Sequence, residues 1–395
     1  MSLQSNKIIG LLENEESKVF IIKHLNDNPS DLALRYSNKV GFDLKPVLEL
    51  LSIYKKSKTK LPKLTVELAA MTDRSFQQAS SEKVAEFKAG IISGEKLIDL
   101  AGGLGVDAMA FSQSFNKVVS IDPDTDLNEL VNYNLDLLGI ENVDRLSQRA
   151  EEVDITTYDW AYIDPDRRSD GKRLIHIEDL KPNMGNLIPK LMVEGVKVAV
   201  KMSPLYEIAE FFKLFPTTTE AYVISENGEV KEVLYLLSKS DELRRIHAVE
   251  VGSSAFHLEW TENEMNDGIH EETELEGSYI YVPKAALSKS RMANHYLKNL
   301  GIKKLKGLEL YFSKELKHLL GVRAFEVLHR TDSSVKSVKT ILKAEKIKQL
   351  NIIAKGSKQS STEIAKALGI KEGGKDYLFQ IQAGLNQSFI CRLLF

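Results

Sequence analysis

From Lys96 onward, short apolar runs alternate with helical stretches, and this pattern narrows the possible folds more than any other feature of the chain. Strand, helix and strand in succession require a crossover, so the region reads as βαβ units around a parallel sheet, an α/β class. The pattern predicts strands at 96–100, 117–122, 144–147, 160–164 and 196–201. Two more, at 221–225 and 233–237, flank Glu226-Asn227-Gly228-Glu229, where Asn-Gly is a strong signal for an antiparallel hairpin. Five parallel strands closed by a hairpin differ from a dinucleotide-binding domain, whose second half continues with further crossovers.

The rest of the 395 residues leaves room for more than this sheet at roughly 150 residues per domain. Residues 1–92 read as a helical N-terminal region, since apolar positions recur at helical spacing in Val19, Ile22 and Leu25 and in Val47, Leu50, Leu51 and Tyr54. Asn28-Pro29-Ser30 and Lys45-Pro46 mark helix starts, and a further helix is predicted from about Gln77 to Ala89. Between them Lys55, Lys56, Lys58, Lys60 and Lys63 read as a solvated basic connector or a phosphate contact. The polar stretch Met71 to Glu82 is suited to begin a helix over a ligand mouth. Residues 93–240 hold the sheet. Residues 241–330 read as a connector, acidic between Leu258 and Glu276, and a ferredoxin-like α+β unit with strands at 278–282, 308–312 and 323–329 and a helix at 289–300. Residues 331–395 form a basic C-terminal domain with eleven Lys and Arg against five Asp and Glu. Lys336, Lys339, Lys343, Lys346 and Lys348 are spaced to load one helix face.

Charge and cysteine content exclude whole classes. With 53 Lys and Arg against 56 Asp and Glu, no global field draws the chain to nucleic acid or to an anionic membrane, so such binding needs a local patch. Cys391 stands alone, which removes disulfide frameworks and Cys-rich metal sites, and its place near a mobile terminus argues against a cysteine nucleophile. The histidines, among them His176, His247, His257 and His270, show no metal spacing, so no metal is expected. No apolar run reaches the roughly 18–20 residues of a membrane span, and Met1 to Glu13 lacks a signal pattern, which predicts a cytoplasmic protein with no membrane partner.

The chemistry concentrates after the first predicted strand. In Leu97-Ile98-Asp99-Leu100-Ala101-Gly102-Gly103-Leu104-Gly105-Val106-Asp107-Ala108 a glycine-rich turn opens a helix, where backbone and helix terminus can approach a ligand closely. Gly103-x-Gly105-x-x-Ala108 alone fits NAD equally well. Asp99, however, occupies a position dinucleotide folds usually fill with an apolar residue, and a carboxylate there suits an amino-acid ammonium group. Asp122, ending the next strand, can accept both hydroxyls of a ribose. Together they point to an adenosyl amino acid.

The stretch Asp99 to Asp107 with Asp122 resembles the class I S-adenosylmethionine-dependent methyltransferases, over about Gln77 to Leu237. The resemblance implies a Rossmann-like sheet, S-adenosylmethionine as cofactor, and Asp99, Ala101, Gly103, Gly105 and Asp107 around its methionine end. It also implies Asp122 on the ribose and Ala150 and Glu151 near the adenine.

The reactive face is predicted at Asp164-Pro165-Asp166-Arg167-Arg168, after the fourth strand. This resembles the Asp-Pro-Pro-aromatic turn of methyltransferases acting on exocyclic amines but departs from it at Asp166 and Arg167, and the paired Arg167 and Arg168 suit a phosphate or carboxylate fork. Lys201 ends the fifth strand. With Asp164, a glutamate such as Glu232 and either Lys83 or Lys88, it would resemble the Lys-Asp-Lys-Glu tetrad of ribose 2′-O-methyltransferases, where a lysine of lowered pKa deprotonates a hydroxyl. A purely structural pair with Asp164 is the other reading.

Gln78-Ala79-Ser80-Ser81-Glu82, the Asp164 to Arg168 turn, Lys201-Met202-Ser203-Pro204 and the C-terminal units resemble bacterial methyltransferases with a THUMP-like C-terminal domain. That implies RNA, tRNA or rRNA, as the partner. A protein or small-molecule acceptor, or a noncatalytic RNA-binding factor with a retained cofactor site, are the alternatives.

Overall fold

The computed structural model describes residues 3–165, 168–169, 172–173, 177, 180, 181–240, 242–266, 271–273, 276–382 and 385–395. They form two compact units, Met1–Ala221 with Glu232–Glu242, and Tyr222–Lys231 with Leu243–Phe395.

The first unit begins with helices α1 (Leu3–Glu13), α2 (Glu15–His24), α3 (Pro29–Tyr36), α4 (Leu44–Ser57), α5 (Pro62–Val66), α6 (Asp73–Gln78) and α7 (Glu82–Ile91). Asn14, Asn28 and Asp43 cap α2, α3 and α4 by accepting backbone N–H groups that have no partner in the first turn. The single helix expected at 77–89 is corrected to two. Ala79 is extended and Ser81 caps α7, so the chain breaks where Ser80 and Ser81 compete with helix bonds. The lysine-rich stretch is also more than a solvated connector. Lys55 and Lys56 close α4, Lys60 donates to the Phe76 carbonyl at 2.7 Å, and Lys63 pairs with Glu86 at 2.6 Å.

Next come β1 (Gly94–Asp99), α8 (Val106–Phe111), β2 (Phe115–Ile121), α9 (Thr125–Leu137), β3 (Val143–Leu146), β4 (Trp160–Ile163) and the paired β5 (Arg168–Ser169) and β6 (Lys172–Arg173). α10 (Met184–Val193), β7 (Lys197–Met202), α11 (Ile208–Leu214), β8 (Thr218–Glu226) and β9 (Glu229–Leu237) follow. The order β7-β4-β1-β2-β3 is parallel throughout, and β9 runs antiparallel along β7. Leu97, Ile98, Ala161, Val198, Ala199 and Val200 are buried completely, as expected of parallel strands covered on both faces. The hairpin turns on Asn227 and Gly228, both left-handed at φ 54° and 76°. The N-terminal helices are tied to α9 through Asn134, whose side-chain amide bonds both the N–H and the carbonyl of Ala70 at 2.7 and 2.8 Å.

The second unit contains β10 (Arg245–Val251), antiparallel to β11 (Phe256–Thr261), then β12 (Glu271–Glu272), β13 (Tyr279–Pro283), α12 (Ala285–Lys289), α13 (Ala293–Asn299), β14 (Lys303–Leu305) and β15 (Tyr311–Ser313). β16 (Val322–Asp332), α14 (Val335–Ala344), β17 (Gln349–Lys355), α15 (Ser361–Leu368), β18 (Lys371–Ile381) and β19 (Gln387–Leu393) complete it. Strands β12 to β19 share one sheet in the order β12-β14-β15-β13-β16-β19-β18-β17, so β16 links elements on both sides of residue 330.

Three expectations change in this unit. The helix at 289–300 is broken between α12 and α13, where Arg291 is left-handed at φ 62°. Lys346 and Lys348 lie beyond the end of α14, which carries only Lys336, Lys339 and Lys343. Cys391 is no mobile terminal residue: β19 buries it in the core with Phe325, Phe379 and Phe389, and burial pushes its thiol well above the ordinary cysteine range. A thiol so protonated is a poor nucleophile. Among the described residues no helix is long and apolar enough to cross a membrane.

Candidate active site

The strand order reverses between β1 and β4: the chain proceeds through β2 and β3 on one side and to β7 on the other. Open α/β sheets leave a crevice at the carboxyl ends of the strands at such a point, because successive crossovers lie on opposite faces. β1 delivers Asp99 there, β2 Asp122, β4 Asp164 and β7 Lys201.

The loop from Leu100 to Gly105 leads into α8, with Gly103 and Gly105 left-handed at φ 48° and 79°. Asp99 is buried under it. Its carboxylate accepts from Ser120 Oγ at 2.8 Å and from the Ala101 N–H at 3.3 Å, and burial pushes its pKa up to about 7 against the pull of Arg145 and Ser120. Asp122 accepts the Gly103 N–H at 3.1 Å and the Asp124 N–H at 2.9 Å.

Arg145, from β3, supports the loop from beneath. It donates to Asn128 Oδ1 at 2.6 Å, Ser120 Oγ at 2.7 Å and the Gly103 carbonyl at 2.7 Å, and its guanidinium lies 3.7 Å from Asp122. Gly102 is the contact point: a Cβ there would sit 1.8 Å from Arg145 Nη1 and 2.2 Å from Ser120 Oγ.

A second polar group lies behind Asp164. Lys88, from α7, is fully buried, 2.8 Å from Asp107 Oδ1 and 2.8 Å from Glu232 Oε1. It donates to Tyr162 Oη at 3.0 Å and Ser80 Oγ at 3.1 Å, and both hydroxyls donate to Asp107 Oδ2 at 2.9 Å. Lys201 bonds Asp164 Oδ2 at 2.5 Å and lies 3.9 Å from Glu232. Burial disfavours the Lys201 ammonium, but Asp164, Glu232 and Asp107 outweigh it and hold the group above the ordinary lysine range. The expectation of a lysine with lowered pKa is therefore corrected, because three carboxylates surround it. Burial likewise opposes ionisation of Asp107, but Lys88 and Lys201 hold its pKa below the usual carboxylate value.

Asp99, Ala101, Gly103, Gly105, Asp107, Asp122, Ala150, Glu151, Asp164, Pro165 and Lys201 all line one cleft of about 2360 Å³. Asp166 and Arg167 lie outside the described residues, as do His176 and His270. His247 and His257 are in the second unit, with ring nitrogens 3.0 Å apart, and no group of three or more His, Cys, Asp or Glu among the described residues is arranged to hold a metal.

Residues 322–392 match the THUMP domain-like family. Over 300 residues, 75% of this chain and 79% of the relative, the sequence is 27% identical to an uncharacterized S-adenosylmethionine-dependent methyltransferase of Mycobacterium tuberculosis, with the same match in strains CDC 1551 / Oshkosh and ATCC 25618 / H37Rv. The crystal structure of a candidate methyltransferase from Porphyromonas gingivalis W83 shares the fold at TM-score 0.83 and 22% identity, over 100% of both chains. The chain is a methyltransferase of the S-adenosylmethionine-dependent class, with a THUMP-like domain at its C-terminus.

Sequence reasoning missed several polar residues of this methyltransferase. Arg145, Ser120 and Asn128 support the glycine loop, and Tyr162 and Ser80 bridge Lys88 to Asp107. A partial signal existed for Arg145, a charged residue inside the short apolar pattern of β3. Between Lys83 and Lys88, the structure turns Lys88 inward and leaves Lys83 exposed.

Proposed function

We propose that this methyltransferase acts on RNA, tRNA or rRNA, in the cytoplasm, with methyl transfer in residues 93–240 and RNA docking in the basic residues 331–395. Asp99, Ala101, Gly103, Gly105, Asp107, Asp122, Ala150 and Glu151 surround the cofactor, and Asp164, Pro165, Asp166, Arg167 and Lys201 belong to the reaction centre. One observation carries the reading: Asp99, Asp122 and the Asp164–Lys201 pair line the same cleft at the sheet's switch point.

The residues fit S-adenosylmethionine. Asp99 is a carboxylate whose ionisation burial opposes, and a ligand ammonium beside it would relieve that cost. Asp122 takes a backbone N–H on each oxygen and retains lone pairs for ribose hydroxyls. Asp107 links the cofactor side of the cleft to Lys88. Bound there, the cofactor supplies an electrophilic methyl group.

Asp164, a quarter exposed, can accept a hydrogen bond from an acceptor N–H or O–H and take up the proton that methylation releases. Lys201, held cationic, keeps Asp164 oriented through their hydrogen bond. RNA is supported by the THUMP-like match, since such domains are associated with RNA modification, and by α14. That helix buries Val338 and Leu342 and leaves Lys336 and Lys343 exposed, as phosphate contacts require.

Incubation with tritiated S-adenosylmethionine and fractionated cellular RNA tests the proposal. Label in the tRNA or rRNA fraction, removed by ribonuclease, is the expected result. Label only in protein or small molecules overturns the RNA assignment, and RNA binding without label overturns catalysis.

A further inference from the structure

The cleft is much larger than its cofactor. Sites for small ligands occupy about 300–1,000 Å³, whereas this cleft measures about 2360 Å³ and continues past the glycine loop onto α1, α4 and the α6 segment. That outer wall presents Lys7, Lys45, Lys56 and Arg74 against only two acids, Glu49 and Asp73.

Pairing distinguishes the four cations. Lys7 is engaged with Asp43 at 2.6 Å and Lys56 with Asp73 at 3.4 Å. Asp73 is further committed to Gln77 Nε2 at 2.5 Å, so it is not available to neutralise its neighbour Arg74. Arg74 and Lys45 are exposed, and Asp43, the acid on which the Lys45 charge acts, is already paired with Lys7. Two exposed cations, one on α6 and one on α4, thus line the same cleft as Asp164 and Lys201.

We propose that α4 and α6 form the acceptor-strand wall of the cleft, with Arg74 and Lys45 holding RNA phosphates that flank the nucleotide presented to Asp164. The proposal rests on the RNA reading above and adds a docking site separate from the C-terminal domain. A planar guanidinium suits a phosphate oxygen pair, and a lysine serves as a nearby point charge. Such contacts fix register along the strand without reading its bases. The wall is held in place by its own hydrogen bonds: Lys60 reaches from the α4–α5 connection to the Phe76 and Gln77 carbonyls at 2.7 and 3.2 Å, and Thr72 and Ser75 close a reciprocal cap on α6.

The test uses the full chain, a fluorescein-labelled mixed-sequence RNA oligonucleotide and the double variant Arg74→Glu/Lys45→Glu. The double variant should weaken oligonucleotide binding at least about tenfold at low salt, as loss of charge-assisted hydrogen bonds requires. It should flatten the log–log salt slope by about 1.4, two contacts at about 0.7 each. S-adenosylhomocysteine binding and the thermal midpoint should stay unchanged. Oligonucleotide carrying 4-thiouridine should crosslink to a peptide containing residues 72–79. Unchanged affinity and slope, or crosslinks confined to 322–392, overturn the wall. Tritium transfer by the wild type separates the two failures. Labelled RNA with an unchanged KM in the double variant removes the wall alone, whereas no labelled RNA at all removes the reading on which it rests.

Discussion

Lys88 Nζ and the Glu232 carboxylate lie 2.8 Å apart in the interior, joining the helix that precedes the sheet to β9, the antiparallel strand beside β7. Lys88 is 0% and the Glu232 side chain 3% exposed, so neither charge has water as an alternative partner. Removing Lys88 takes the closest cation from both Glu232 and Asp107 and leaves the two buried carboxylates to Lys201 alone, 3.9 Å from Glu232, which costs far more than the net worth of the pair.

Lys88→Met should therefore destabilise the protein by about 3–5 kcal/mol in urea unfolding at neutral pH. The methionine fills much of the lysine's volume, so the loss reports charge more than packing. Adding Glu232→Gln should recover part of it, since one of the two stranded carboxylates is then neutral. A cost below about 1 kcal/mol for Lys88→Met would mean the charges are solvated, contrary to this geometry.

The second prediction concerns Asp99, whose pKa burial pushes up to about 7, well above the ordinary carboxylate range. The folded state holds this proton more tightly than the unfolded chain. The Asp99 contribution is fully present below the unfolded pKa and is lost as pH rises through about 7. Asp99→Asn should thus gain stability relative to wild type between pH 4 and 7 and level off above. The cofactor's ammonium needs the ionised form, so S-adenosylhomocysteine should bind more tightly as pH rises toward 7, with proton release in calorimetry across buffers. Asp99→Asn should abolish that release, and a pH-independent wild type would remove Asp99 from the ammonium site.

At Gly102 the expectation is steric. A methyl group would press on Arg145 and Ser120, whose own bonds to Gly103 and Asp99 leave them no room to retreat. Gly102→Ala should cost at least about 2 kcal/mol, at the upper end of overpacking. It should also weaken S-adenosylhomocysteine binding, because the loop that carries Gly103 must shift. Gly90→Ala, where a Cβ meets nothing within 4 Å and the backbone, like that of Gly102, is not left-handed, is the unhindered control.

The Asp164–Lys201 pair yields a kinetic prediction. Asp164→Asn and Lys201→Met should each lower turnover by about 10²–10⁴, the usual range for a proton-handling group, with cofactor affinity nearly unchanged. Since Lys201 is held above the ordinary lysine range, the rate should show no lysine-like rise between pH 7 and 9. A clear rise there, lost in Lys201→Met, would restore the general-base reading. Wild-type turnover in both variants would return the pair to a structural role.

The sheet was legible because its signals are local. Apolar runs on strands buried on both faces, glycines at left-handed positions and an Asn-Gly turn each follow from the backbone and side chain of a few adjacent residues. The two acids Asp99 and Asp122 were visible as candidates because each ends a strand, and strand ends in a parallel sheet converge on one edge whatever the loops do.

Where side chains from distant elements meet was decided by tertiary structure. Lys83 and Lys88 are alternatives in sequence, and only the packing of α7 against α8 turns Lys88 toward Asp107 and leaves Lys83 in solvent. Arg145 reads as a polar interruption of β3 until β2 sets Ser120 beside it and the glycine loop lies over both. Cys391 looks terminal and mobile until β16 and β18 pair on either side of its strand and bury it. The charge state of Lys201 was unreadable for the same reason: three carboxylates from α8, β9 and the end of β4 set it, and their convergence depends on the sheet order. Local propensity and periodicity determine elements, whereas the partners of a buried charge depend on how those elements pack.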